Sequence, residues 1–369
     1  MVKYNIMQNK RKNDHKVVRF IDLFCGIGGF RIAAEQIAKE FAIPVRCVFS
    51  CDIDEECQKA YAENFCETPA GDITTIKAED IPDHDVLLAG FPCQPFSIIG
   101  QRKGFEDTRG TLFFDIARIL QAKKPTLFLL ENVKLLAGHN NGKTLKRIMS
   151  ALRELGYYTY FSILNALDFG LPQKRERIFI VGFKKPCSFD WPKGGISMTP
   201  LKEILEDNVP DQYYASEHIR MNRLKKHKPT EDLTIWHENK AGHISAYPYS
   251  CALRAGASYN YLLVNGERRL TPREMLRLQG FPDSFRIVCN YSQTRKQAGN
   301  TLPVPVVEAV LKNLFIAQGW HNGYVKYDFN NLQYQIVDGQ MMIFEKGAKY
   351  GRGAKIKNRR KIQAALSAK

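Results

Sequence analysis

The sequence predicts an α/β protein built on a doubly wound, mostly parallel sheet, with a second, smaller domain following it. Three observations carry this prediction. Short apolar, β-branched runs alternate with segments of helical spacing through the first half of the chain. A glycine-rich turn joins the first apolar run to the first helical segment. The apolar runs end in acids, a cysteine and arginines, and open α/β sheets place their chemistry at such strand tips.

Val17 to Phe24 reads as the first strand. It enters Asp22-Leu23-Phe24-Cys25-Gly26-Ile27-Gly28-Gly29-Phe30 and then a helix through Ile37. That order brings backbone N–H groups close to a nucleotide-like ligand. A second strand, Val45 to Ser50, ends in Cys51-Asp52-Ile53-Asp54. An acid roughly 20 residues past a glycine turn is where such folds hold ribose hydroxyls, which singles out Asp52. Asp72, in Ala70-Gly71-Asp72-Ile73, closes a third strand region and is a candidate for an adenine edge. No phosphate-binding lysine follows the glycines, so this is not a P-loop.

Asp85 to Ala89 reads as a buried strand, stopped by Gly90-Phe91-Pro92-Cys93-Gln94-Pro95-Phe96-Ser97. Glycine and two prolines hold the backbone in one exposed bend with Cys93 at the strand tip. A thiol there is a nucleophile if its pKa is lowered. The plainer reading is a small buried hydrophobe, against which the flanking prolines and the polar Gln94 and Ser97 argue. Gln101 to Gly110, rich in charge and glycine, reads as a mobile loop. Thr111 to Gln121 has helical spacing, and Thr126 to Leu130 is another buried strand ending in Glu131-Asn132-Val133. Glu131 is a site carboxyl or an ordinary helix-capping acid. Thr144 to Leu155 is an amphipathic helix stopped by Gly156. Arg175 and Arg177, before the strand Ile178 to Val181, share parity and in an extended segment point to one face. Paired arginines suit an anionic or carbonyl-rich ligand, and solvated surface arginine is the usual alternative.

From Cys187 to about Gly266 the chain is richer in tyrosine, histidine, glycine and charge. Trp236, His237, Tyr247, Tyr249, Arg254, Tyr259 and Tyr261 interleave aromatic and polar side chains as a reading surface. Leu270-Thr271-Pro272-Arg273-Glu274 is a helix start with a capping box, and Gly280 ends that helix. Gly299 to Val306 opens an apolar helix to Ile316, and Tyr324 to Phe344 reads as a hairpin around Asp338-Gly339. No acid follows Glu345, and the basic tail is expected to be disordered and to trail over phosphates.

The chain has 369 residues, 44% hydrophobic and 25% charged, which suits a soluble globular protein of one large or two ordinary domains. No apolar run approaches the roughly 20 residues of a membrane span, and Met1 to Lys16 lacks a secretory signal's apolar segment. A formal charge of +16 points to a polyanion, with nucleic acid first, against a merely solvated basic surface. The nine cysteines are odd in number and show no CxxC pair. Reduced thiols in a cytoplasm are expected, and no metal site, since Cys47, Cys51, Cys57 and Cys66 have the wrong spacing for zinc.

Six motifs then fall in one order: DLFCGIGGF (Asp22 to Phe30), GFPCQPFS (Gly90 to Ser97), ENV (Glu131 to Val133), QKRERIFIVG (Gln173 to Gly182), RLTPREMLRLQGFP (Arg269 to Pro282) and AGNTLPVPV (Ala298 to Val306). From Phe20 to about Ile316 the chain thus resembles the DNA (cytosine-5)-methyltransferase family of the bacterial restriction-modification type. The resemblance implies a Rossmann-like methyltransferase sheet and S-adenosylmethionine as cofactor. It places a catalytic domain at 17–184, completed by 298–320 folding back, and a target-recognition domain at 185–297. A short hairpin extension at 321–345 and the basic tail at 346–369 remain outside it. Partners implied are double-stranded DNA and a cognate restriction endonuclease, with no membrane. The expected state is a cytoplasmic, nucleoid-associated monomer.

By the same resemblance, Cys93 is the nucleophile that adds to carbon 6 of cytosine. Glu131 holds ring nitrogen 3, helped by a raised carboxyl pKa in a dry pocket. Arg177 stands at the exocyclic oxygen and Arg175 supports the same site. No residue is an obvious base for the carbon 5 proton, which leaves water. Phe24, Gly26 and Gly28 match the glycine-loop contacts to the cofactor, and Pro92 joins them. Asp52 stands where glutamate is usual, Ile53 where a tryptophan is common beneath the adenine, and Asp72 and Ile73 match the adenine-edge pair. Asn300 matches the closing asparagine. The target must be flipped out of the duplex. Ser97 to Arg109 would close over it, with Ile99 near the vacated stack. Three rival readings are weaker. A transfer-RNA cytosine methyltransferase would carry a Cys-Phe-Thr signature, which is missing. A silent DNA binder would not need Cys93, Glu131 and Arg177. A thiol redox enzyme would pair Cys93 with a resolving cysteine.

Overall fold

The computed structural model describes residues 17–92 and 112–320, together with the backbone of the strands at 332–337 and 340–345. In chain order, β1 (Val18–Leu23) leads into α1 (Gly29–Phe41), β2 (Val45–Cys51) and α2 (Glu55–Phe65). Next come β3 (Val86–Gly90), α3 (Leu112–Lys123), β4 (Leu127–Val133), the short α4 (Leu135–Gly138) and α5 (Lys143–Glu154). β5 (Tyr158–Asn165), β6 (Gln173–Lys174) and β7 (Glu176–Phe183) follow. The later region holds α6 (Leu201–Ile204), α7 (Glu217–Lys226), β8 (Ile235–Glu238), β9 (Ile244–Tyr247), β10 (Ser250–Cys251) and β11 (Leu262–Val264). It ends with α8 (Pro272–Arg277), α9 (Tyr291–Asn300) and α10 (Val304–Gln318), and β12 (Leu332–Val337) and β13 (Gln340–Glu345) come last.

The central sheet has the order β2-β1-β3-β4-β7-β5. Its pairs are parallel from β2 to β4 and antiparallel from β4 to β5. The chain runs outward from β1 to β2 on one side and from β3 to β4 on the other. The order therefore reverses between β1 and β3, and a ligand crevice opens beyond their carboxyl ends at Leu23 and Gly90.

The strands are continuously apolar because both faces of the sheet are covered. Val86, Leu88, Leu127, Leu129, Phe179 and Val181 face one core, shared with Ile37 of α1 and Val307 and Leu311 of α10. Leu87, Ala89, Phe128, Leu130, Ile178 and Ile180 face the other, with Ile116 of α3 and Ile148 and Leu152 of α5. This is the period-2 alternation of a strand. Leu127 to Leu130 are all fully buried, each worth about 1.5–3 kcal/mol relative to an exposed position.

The helix start at Thr271 is as predicted: Thr271 Oγ1 accepts the Glu274 N–H at 3.2 Å, and Glu274 accepts the Thr271 N–H at 2.8 Å. The strand predicted over Thr126 to Leu130 runs on through Val133, so Glu131 and Asn132 are strand residues. The third strand region before Asp72 does not form. Ala70 makes one isolated bridge to Cys51, and Asp72 instead accepts the Thr74 N–H at 2.9 Å. That local bond turns the backbone out of the extended state.

In the later region β11, β8 and β9 form a small antiparallel sheet, and β10 pairs in parallel with β6. The predicted reading surface is corrected here. Trp236 and Tyr261 are core residues, 1% and 7% exposed, and a Cβ on Gly266 would come within 2.5 Å of the Trp236 ring. Short strands with few aliphatic residues fill their core with aromatic rings. Arg254 and Tyr259 are exposed, and Tyr247 stacks on Tyr249 at 5.0 Å between ring centroids.

The chain divides into two units between Asn322 and Gly323. In the second unit β12 and β13 pair antiparallel with Val337 opposite Gln340, on either side of Asp338-Gly339. Among the described residues no helix is long and apolar enough to cross a membrane.

Candidate active site

A cavity of about 1190 Å³ opens at the carboxyl ends of β1 to β4. Phe24, Gly26, Asp52, Ile53, Asp72, Ile73, Pro92, Glu131, Arg177 and Asn300 all line it. Residues chosen from seven separate stretches of sequence thus line one cavity. Cys93, Ser97, Ile99 and Arg109 lie outside the described residues, as does the whole predicted loop from Ser97 to Arg109.

The glycine turn is built from left-handed backbone. Phe24 has φ of 56°, Gly26 of 53° and Gly28 of 85°. Gly26 faces open space, and nothing would meet a Cβ there within 4 Å. Gly28 differs from its sequence assignment as a cofactor contact. It does not line the cavity, and a Cβ on it would come within 2.2 Å of the Phe65 ring. Its place is close packing of the turn against α2.

Asp52 clasps this turn. Its Oδ2 accepts the Gly26 N–H at 2.8 Å and its Oδ1 the Asp54 N–H at 2.9 Å. Burial pushes its carboxyl above the usual range, and the two amide bonds oppose that shift. Ile53 stands at the rim, 72% exposed, and offers an apolar surface. Three thiols close the floor: Cys25, Cys51 and Cys57. Burial raises all three, the Cys51 thiol to about 12.

Arg118 was not signalled by the sequence. It lines the cavity, donates to the Ile73 carbonyl at 2.5 Å and pairs with Asp115 at 2.9 Å. Its partner is a main-chain carbonyl, which no residue pattern announces. The i,i+3 pair with Asp115 on one helix face was the only available hint.

On the opposite wall, Glu131 is 9% exposed, and its Oε1 lies 2.9 Å from Arg177 Nε. Burial raises the Glu131 carboxyl above its usual range, and the charges of Arg177 and Arg175 pull against that rise. Glu131 is registered with Gly90, where a Cβ would be 3.7 Å from Glu131 Oε2. Asn132, also overlooked as a single residue, donates to the Phe91 carbonyl at 2.9 Å and accepts the Val133 N–H at 2.8 Å. It thereby fixes the chain just before Pro92 and Cys93.

Arg175 is placed differently from its sequence pairing with Arg177. It falls between β6 and β7, so the extended run assumed for the parity rule is interrupted. Its guanidinium is buried and does not line the cavity. It donates to the carbonyls of Leu253 and Gly299, each at 3.0 Å, and to that of Thr301. Burial and Arg177 lower its basicity, while the carbonyl acceptors favour the charged form. Gln173 completes the knot. It donates to the Leu278 carbonyl at 2.8 Å and accepts the Leu253 N–H at 3.0 Å. Gln279 donates to the Ala298 carbonyl at 2.5 Å. Arg175 is therefore a positioning residue that ties residues 253 and 299–301 together.

The cavity fits an adenosyl-type ligand. It has carboxylates at two points, backbone amides in the glycine turn and an apolar rim. Its volume exceeds the usual range for one small molecule, about 300–1,000 Å³, which leaves room for a second reactant. Among the described residues no group of three or more His, Cys, Asp or Glu side chains could hold a metal ion.

The family model for C-5 cytosine-specific DNA methylase matches residues 18–316. The chain is 56% identical over 297 residues to the Type II methyltransferase M.NgoBI of Neisseria gonorrhoeae, covering 79% of this chain and 91% of that protein. It is 55% identical over 300 residues to M.HaeII of Haemophilus aegyptius, covering 80% and 92%. M.HhaI of Haemophilus parahaemolyticus is 41% identical over 322 residues, covering 80% and 94%. The crystal structure of the S. pombe Dnmt2 methyltransferase matches 81% of this chain and 98% of its own, with a TM-score of 0.63 and 22% identity, a likeness of fold.

Proposed function

The chain belongs to the C-5 cytosine-specific DNA methylase family, and from that premise we propose that Cys93 attacks a cytosine flipped out of duplex DNA and that the glycine turn would help hold S-adenosylmethionine. One observation carries the reading: the buried Glu131–Arg177 pair on the same cavity wall as Gly90 and Pro92, next to the nucleophile in sequence.

Carbon 5 of cytosine is a poor nucleophile. The Cys93 thiolate forms a bond to carbon 6, and the ring's electron pair moves towards carbon 5. Glu131, whose carboxyl burial pushes above its usual range, holds ring nitrogen 3 and favours that addition. Arg177 orients Glu131 and offers donors to the exocyclic oxygen. S-adenosylmethionine, when bound, supplies a methyl group on a sulfonium that leaves as a neutral thioether. Once carbon 5 carries the methyl group that the donor would supply, water takes the carbon 5 proton and the bond from Cys93 Sγ to carbon 6 breaks to return the Cys93 thiolate. Phe24, Gly26, Asp52, Ile53, Asp72, Ile73 and Asn300 would hold the donor, with Asp52 at the ribose and Ile53 against the adenine. Asn132 and Arg175 act through others, as positioning residues.

Residues 185–297 serve as the target-recognition domain, and the loop from Ser97 to Arg109 closes over the flipped base. The basic segment at 346–369 adds phosphate contacts. The names of the Type II relatives support a role in restriction-modification; a cognate restriction endonuclease, a monomeric state and a cytoplasmic location complete the proposed reading.

The test is methyl transfer from labelled S-adenosylmethionine to unmethylated duplex DNA and, separately, to transfer RNA, with sequencing of the DNA product. Label at one short repeated DNA motif is expected. Label in RNA alone would overturn the reading. Cys93→Ser is expected to bind the duplex and transfer nothing; methylation by it at the wild-type rate would remove Cys93 from the mechanism.

A further inference from the structure

The loop between β10 and β11 is fixed to the cavity at one end and exposed at the next residue. Leu253 is held twice, by Gln173 at its N–H and by Arg175 at its carbonyl, each at 3.0 Å. Gly299, which lines the cavity, lies so close to Ala255 that a Cβ on it would come within 2.3 Å of the Ala255 nitrogen. Arg254 stands between these two anchors and is itself exposed. Its guanidinium lies over the Tyr261 ring, 4.8 Å from the centroid. That ring is buried, and its hydroxyl accepts the Arg254 N–H at 2.9 Å. A cation over a fixed aromatic face loses side-chain freedom but keeps its edge donors.

Neighbouring arginines are already engaged. Arg295 lies over Tyr259 and donates to the Ala257 carbonyl at 2.8 Å. Arg269 donates to the carbonyls of Gln212 and Tyr213. Among the described residues no hydrogen bond or ion pair engages the Arg254 guanidinium.

Resting on the reading of this chain as a DNA cytosine methyltransferase, we propose that Arg254 is a specificity-determining residue that reads a guanine beside the flipped cytosine. A planar fork matches guanine O6 and N7 in the major groove. The hold of Gln173 and Arg175 on Leu253, and the packing of Ala255 against Gly299 of the cavity wall, fix the distance between the base that is read and the base that is modified. An arginine held only by a mobile loop could not keep that register.

The experiment uses the full chain and a duplex pool randomised around its methylation site. Wild type, Arg254→Gln and Arg254→Lys are compared by sequencing the methylated products and by S-adenosylmethionine binding. Arg254→Gln is expected to keep donor affinity and to lose about tenfold of its preference for guanine at one position next to the methylated cytosine. Arg254→Lys is expected to keep part of that preference. An unchanged sequence preference in Arg254→Gln would overturn the assignment. So would a uniform loss across all sequences with a salt slope lowered by about 0.9, the signature of a phosphate contact. Wild-type protein that methylates no duplex would overturn the parent reading together with this one; a wild type that methylates with a variant that does not shift overturns this one alone.

Discussion

The sheet half of the molecule and the region after residue 185 are held together by different means. In β4, four consecutive residues from Leu127 to Leu130 are fully buried, and the strand tips inherit their positions from that packing. The later region has short strands and relies on buried polar groups. Arg223 pairs with Glu238, Arg268 with Glu274, Gln279 donates to a main-chain carbonyl, and the Leu253 carbonyl accepts from Arg175, which reaches over from beside β7. Packing tolerates small shifts, whereas a buried donor without its acceptor costs its full desolvation. The sheet rests chiefly on shape, and the later region leans more on directional bonds.

Glu131→Gln tests the first half most sharply. The variant keeps volume and burial but carries no acidic proton. Turnover is expected to fall by about 10²–10⁴, with duplex affinity and thermal midpoint near wild type. A comparable loss of duplex binding would mean that the strand tip holds the target rather than activating it.

Arg175→Met attacks the directional bonds. It strands the carbonyls of Leu253, Gly299 and Thr301 in a dry site, at a cost of about 3 kcal/mol or more. Denaturant unfolding is the measurement, and a loss under about 1 kcal/mol would show that the knot is replaceable. Gly28→Ala probes shape alone, since its φ of 85° and the Phe65 ring at 2.2 Å both exclude a methyl group. A loss of about 1–3 kcal/mol is expected, and a neutral result would mean that Phe65 swings aside freely.

The smallest effect concerns pH. Burial and the neighbouring Glu40 push the Glu308 carboxyl on α10 up to about 7 from 4.5. The folded state therefore holds a proton that the unfolded chain releases between those values. This contribution is complete below the unfolded value and is lost as pH rises towards 7. Glu308→Gln should flatten the stability profile across that window and raise stability most at pH 8. An unchanged slope would place Glu308 in solvent.

Legibility in the sequence follows the same division. Strands β1, β3 and β4 were readable because burial on both faces leaves continuous apolar runs. The glycine turn, Asp52 and Glu131 were readable because strand tips are fixed once the strands are known. Arg118, Asn132 and Gln279 were missed because they bond to carbonyls, and every residue has one. Trp236 and Tyr261 were misread because an aromatic ring on a short strand, or just before one, serves a core or a surface equally well. Arg175 was paired with Arg177 by parity, and the break between β6 and β7 removed the premise.

The cavity floor of Cys25, Cys51 and Cys57 bears on how the protein can be labelled. Alkylating reagents and maleimide dyes react with thiolates, and burial raises all three of these thiols, which disfavours that form. Among the described cysteines Cys66 is the exposed one. With Cys93, the proposed nucleophile, replaced by serine, a fluorophore can therefore be directed to Cys66 without masking the cavity.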